Sequence, residues 1–115
     1  MKDKIESVLK EIEPEVYYGV GRFKERQLWD CIVFGKRRLQ KTDNSRDLKR
    51  KWFVAIVKEE EIPEGMEEKV IEGMRSTGFK PANTDITYEY VNKSGECVIE
   101  TCVIEFFKTE KGCKL

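Results

Sequence analysis

The 115 residues carry 22 Lys and Arg against 22 Asp and Glu, a formal net charge of zero, and 39 % of them are hydrophobic. That length supports one domain with one core rather than two, and the apolar content exceeds what a disordered chain carries. Zero net charge removes the overall field that draws a protein to nucleic acid or to a membrane surface, so any electrostatic function has to be local.

In chain order, Ile5, Val8, Leu9 and Ile12 fall at i, i+3, i+4 and i+7, one stripe of an amphipathic helix over 4–12, with Asp3 favouring its N-terminus and Pro14 ending it. A stripe of this kind packs on the chain's own sheet rather than on a membrane or a docking partner. Val16-Tyr-Tyr-Gly19 reads as a short strand and 21–27 as a polar loop. Leu28 to Val57 is the organising stretch: the apolar runs Trp29 to Phe34 and Trp52 to Val57 flank a basic connection, as in a long β-hairpin. The first strand is expected from Leu28 to about Leu39 and the second from about Arg50 to Lys58, both apolar on both faces, which implies helices on one face of the sheet and a partner on the other.

Glu59, Glu60 and Glu61 break the strand pattern, and Ile62-Pro63-Glu64 opens a second helix. A proline in the first turn costs no hydrogen bond, and acids there complement the positive helix N-terminus. Met66, Val70, Ile71 and Met74 form its buried stripe, Gly78 is placed as the left-handed residue after its end, and Phe79 as the side chain that packs back on the last turn. Gly65 and Gly73 each weaken the helix by roughly 1 kcal/mol relative to alanine, which reads as tolerance rather than close approach. Ile86 to Val91 and Cys97 to Phe107 form a second hairpin turning at Asn92 to Gly95, and from Thr109 the tail is polar and expected to fray. The predicted architecture is α+β: a single domain over 1–115, order α-β-β-β-α-β-β, with a mainly antiparallel sheet, two helices packed on one face and a long basic β-hairpin arm.

Catalysis finds no footing, and an enzyme is not expected. The chain has no histidine, which leaves only lysine or a carboxylate to activate Ser, Cys or Thr, and no such pair is marked. Glu89, Glu100 and Glu105 are isolated strand acids of the kind ordinarily solvated or ion-paired. Gly19-Val-Gly21 lacks the third glycine and the following helix of a dinucleotide loop. Cys31, Cys97, Cys102 and Cys113 contain no C-x-x-C pair, and the odd spacing of Cys97 and Cys102 points them to opposite faces of a strand, so neither a metal nor a cofactor is expected. With no secretory signal before them they read as reduced thiols of an intracellular protein. No apolar run approaches the roughly 20 residues of a membrane helix.

The connection 36–51 holds Lys36, Arg37, Arg38, Lys41, Arg46, Lys49, Arg50 and Lys51 against only Asp43 and Asp47. Three readings compete for it. As a solvated hairpin tip, its cations protect exposed strands from edge-to-edge pairing. As a nucleic-acid element it neutralises phosphates, with Trp29, Trp52 or Phe53 as candidate stacking surfaces, although both tryptophans sit in strand cores and the arm itself holds no interleaved aromatics. As a contact arm it meets the acidic segment Glu59, Glu60, Glu61, Glu64, Glu67, Glu68 and Glu72 of another copy, a heterologous contact that closes into a ring when the rotation allows.

The runs Pro14-Glu-Val-Tyr-Tyr-Gly19, Leu28-Trp-Asp-Cys-Ile-Val-Phe-Gly35, Phe53-Val-Ala-Ile-Val57 and Ile62-Pro-Glu-Gly65 together resemble small tail-region proteins of tailed phages and prophages of Gram-positive bacteria. The element order is similar to that of tail terminator (tail completion) proteins. The resemblance implies a structural role without turnover: a subunit, monomeric when free at low concentration, whose copies form a ring as concentration rises or on a tail template, hexameric in the assembled tail. That ring caps the tail tube protein, stops its polymerisation and offers a surface to the head-tail connector protein, around a lumen crossed by DNA. It implies a place in the virion tail, assembled in the bacterial host cytoplasm. The alternatives are a head-tail connector or neck completion protein, and a small nucleic-acid-binding domain that uses the 36–51 arm.

Overall fold

Helix α1, Lys2–Lys10, buries Ile5 and Leu9 completely and keeps Val8 and Ile12 half-buried at its margin, as the stripe predicts. Asp3 lies in its first turn without bonding as a cap. The computed structural model describes residues 1–21, 29–41, 47–82, 85–95 and 97–110, so Leu28, most of the 21–27 loop and Arg46 lie outside the described residues. After α1, strand β1 (Val16–Tyr18) runs parallel to strand β2 (Cys31–Lys41), Val16 beside Ile32. Strand β2 is antiparallel to β3 (Leu48–Glu59). The last strand, β6 (Cys97–Glu110), lies against β3 along its whole length, from Leu48 beside Glu110 to Glu59 beside Ile99. On its other edge β6 carries β5 (Tyr88–Ser94) and a two-residue strand, β4 (Lys80–Pro81), absent from the expected order.

Three expectations are corrected by this register. The hairpin strands expected to end near Leu39 and resume near Arg50 run on to Lys41 and start from Leu48, and β6 continues beside the second of them as a third strand, so the basic segment is no free two-stranded arm. Thr109 and Glu110, placed in the frayed tail, pair with Lys49 and Leu48, while 111–115 lie outside the described residues. The second hairpin stays paired through Ser94 and Cys97 after a register shift at Asn92, so its turn is shorter than the one expected over Asn92 to Gly95. These long strands give principal extents of 52 × 26 × 23 Å and a radius of gyration of 15.5 Å, against about 13 Å for a rounded chain of this length.

Alternation decides which face the helices cover. Ile32, Phe34, Trp52, Val54, Ile56, Cys102, Ile104 and Phe106 point to one side and are buried with Ile5, Leu9, Val70 and Met74. Phe34 and Trp52 stack at 6.3 Å between ring centres, and Phe79 meets Trp52 edge-on at 6.0 Å. Val33, Phe53, Ala55 and Val57 point the other way and are only half-buried, and Val103 is 42 % exposed. The strands are therefore apolar on both faces in composition, but helices cover only one.

Helix α2, Met66–Ser76, starts later than the proline signal: Gly65 takes a left-handed conformation at its N-cap, and the Pro63 carbonyl accepts the Met66 N–H in the turn before it. Its end matches the sequence. Gly78, at φ +94°, donates to the Arg75 carbonyl and Phe79 to that of Met74, the paired bonds that close a helix with glycine. Gly73 is not mere tolerance: a Cβ there would stand 2.6 Å from Val8 Cγ1 on α1. Below the helices, Lys58 at the end of β3 is ion-paired with buried Glu13, tying the segment after α1 to the sheet.

Candidate functional site

The charged sets that stand close in the sequence are far apart in the fold. Strand β3 carries Lys49, Arg50 and Lys51 at its start and Glu59 at its end, and ten residues of extended chain separate Lys49 from Glu59 by about 33 Å. Pairing adds Lys36, Arg37, Arg38 and Lys41 of β2, with Lys80 and Lys108, to the basic end. Glu60 and Glu61 follow Glu59 at the other end, and Glu64, Glu67 and Glu68 continue into the first turn of α2.

At the basic end most cations rest on the chain's own side chains. The Lys36 ammonium is 5.9 Å from the centre of the Trp52 ring, Arg37 is 4.7 Å from that of Phe53, and Lys49 is 4.3 Å from that of Phe107. Arg37 also lies 3.8 Å from Glu105, and Arg50 bonds Glu110 at 2.7 Å. Arg38 stands opposite Lys51, and Lys41 opposite Leu48. Arg38 and Lys41 are exposed and, among the described residues, rest on no aromatic ring or carboxylate. The 36–51 segment itself holds no aromatic residue, as expected, but Phe53 and Phe107 from outside it are supplied to its cations across strands. Phe53 also lies over Gly35, its Cε1 3.0 Å from where a Cβ would be.

The acidic end is built by hydrogen bonds to the backbone. Trp29 N–H donates to the Glu59 carboxylate at 3.1 Å, and Glu59 N–H donates to Asp30 at 3.0 Å, clasping the start of β2 to the end of β3. Glu60 turns the chain at φ +72° while its N–H donates to the Val98 carbonyl. Ile62 N–H donates to Glu100 at 2.9 Å. Glu61, Glu64, Glu67 and Glu100 line a groove of about 360 Å³ with Tyr88 and Tyr90. Tyr88 O–H donates to Glu67, which holds its phenol protonated well above the ordinary range, and a side-chain bond to Glu100 raises that of Tyr90. Glu68 is exposed on α2.

No known protein family matches the sequence, and no curated protein is similar to it. Chemistry must therefore be read from the groups themselves. Among the described residues no cluster of Cys, Asp or Glu is arranged to hold a metal ion, and no helix is long and apolar enough to cross a membrane. Burial pushes the Cys31 and Cys102 thiols up to about 11, so both are thiols rather than nucleophilic thiolates at neutral pH.

Sequence reasoning named Phe53 as a candidate stacking surface but missed Phe107, and missed the cations that rest on both rings. Each follows a core aromatic, in Trp52-Phe53 and Phe106-Phe107, and strand alternation turns the second member to the open face. That doublet was the available signal; which cation meets which aromatic depends on the β3–β6 register.

Proposed function

We propose that the chain is a structural assembly subunit of a phage or prophage tail, a tail terminator whose copies join head to tail into a ring that caps the tail tube and offers the head-tail joining surface. A connector or neck completion protein is the alternative within the same class. The phage assignment rests on the resemblance of the sequence runs. The assembly role is supported by one observation above all, the separation of the cationic and acidic ends by about 33 Å, several times the roughly 8 Å screening length at physiological salt. Charges so far apart cannot neutralise each other within one copy, whereas the basic end of one copy and the acidic end of the next can. The half-exposed apolar row of Val33, Ala55 and Val103 adds a surface that contact with a neighbour would cover.

Sedimentation velocity over a range of concentrations, at low and at high salt, tests the reading. Closed species of several copies that dissociate as salt rises are expected, and a monomer under every condition overturns it. The position of the gene is a second test: a place between genes for head-completion and tail-tube proteins is expected, and an unrelated neighbourhood would remove the phage assignment.

A further inference from the structure

We propose that the basic end of the open sheet face is a platform for single-stranded nucleic acid, on which bases stack against Phe53 and Phe107 while Arg37, Lys49 and Lys51 meet the phosphates. The inference does not rest on the assembly reading. It starts from the aromatic doublets. Trp52 and Phe106 lie fully in the core, but Phe53 and Phe107 turn to the face without helices and stay half-buried. Since Phe53 pairs with Glu105 and Phe107 with Lys51, the two rings are diagonal neighbours on adjacent strands. Diagonal positions of this kind stand roughly 7 to 8 Å apart, enough for each ring to take a separate base.

The geometry keeps the platform flat and positive. Gly35 leaves room for the Phe53 ring to lie across β2, its Cε1 3.0 Å from the position a Cβ would take. The groups over the rings are cations rather than apolar side chains: Arg37 over Phe53 and Lys49 over Phe107. Lys51 stands beside Phe107, and Arg38 beside Lys51 on the neighbouring strand. Against these, Glu105 is the acid that pairs with Phe53 in the centre of the platform. A ligand that suits this surface carries flat apolar faces and a repeating negative charge. Unpaired bases stack on aromatic rings or on a guanidinium plane, and their phosphates meet lysines. A duplex keeps its base faces stacked inside, so the rings would meet only its backbone and groove edges.

The test is fluorescence anisotropy with a labelled oligo(dT) of about a dozen nucleotides at low ionic strength, with the matching duplex as competitor. Binding of the single strand in preference to the duplex is expected. In the F53L/F107L variant, which keeps the apolar volume, affinity should fall at least about tenfold, while Lys49→Gln should lower the slope of log affinity against log salt by about 0.7. No binding of oligo(dT) overturns the proposal. So does equal binding of duplex, or an affinity that F53L/F107L leaves unchanged, since either would mean attraction to the backbone alone. The preference of the unmodified protein for single strands decides the matter even where the leucine variant fails to fold.

Discussion

The Phe53 ring occupies the place of a side chain on Gly35, and Arg37 in turn rests on Phe53 with its guanidinium carbon 4.7 Å from the ring centre. Gly35→Ala puts a methyl group 3.0 Å from Phe53 Cε1, so the ring must lift from the sheet. A loss of about 1 kcal/mol is expected, read as a lower urea midpoint with the slope unchanged.

Between the helices, Gly73→Ala sets two terms against each other. Alanine improves helix propensity by about 1 kcal/mol, but its Cβ would lie 2.6 Å from Val8 Cγ1, and valine is held to one rotamer in a helix. Overpacking of this kind costs about 1 to 3 kcal/mol, so net destabilisation is expected. Adding Val8→Ala should recover part of the loss; a double variant as weak as the sum of the singles would place the strain elsewhere.

Glu13 is 7 % exposed and its ion-pair partner is Lys58. Lys58→Met leaves a buried carboxylate without its countercharge, and a cost of about 3 kcal/mol is expected. The double variant with Glu13→Gln should be markedly less destabilised, as measured by thermal unfolding.

Alkaline pH should weaken the fold through its cysteines. Burial raises the Cys31 and Cys102 thiols from 9.0 to about 11. Between those values the unfolded chain has released protons that the folded chain still holds, so stability is complete below pH 9, falls as pH rises towards about 11, and levels off above it. The C31A/C102A variant should show a shallower decline over this window. In the native state at pH 8 both thiols should react with an alkylating reagent far more slowly than in urea.

What the sequence made legible followed from local chemistry. The Ile5–Leu9 stripe, the glycine closure at Gly78 and the inward packing of Phe79 are each determined within a few residues, and the structure places them as predicted. What it hid depends on partners distant in the chain. β6 meets β3 about fifty residues further on, and only that pairing carries Thr109 and Glu110 into the sheet and sets Lys49 over Phe107. The parallel seat of β1 on β2 likewise rests on contacts across a loop. By contrast, the separation of the basic and acidic sets, eight residues apart between Lys51 and Glu59, already followed from the strand expected over Arg50 to Lys58.

The joining of basic to acidic ends is tested most directly by R38E/K41E, because among the described residues those two cations bond no ring or carboxylate and can be reversed without disturbing Arg37 on Phe53 or Arg50 on Glu110. Sedimentation velocity at low salt should show closed multimers for the unmodified chain and only monomer for this variant, with the two unfolding at the same temperature. A monomer in both, or multimers that survive the reversal, would contradict the account.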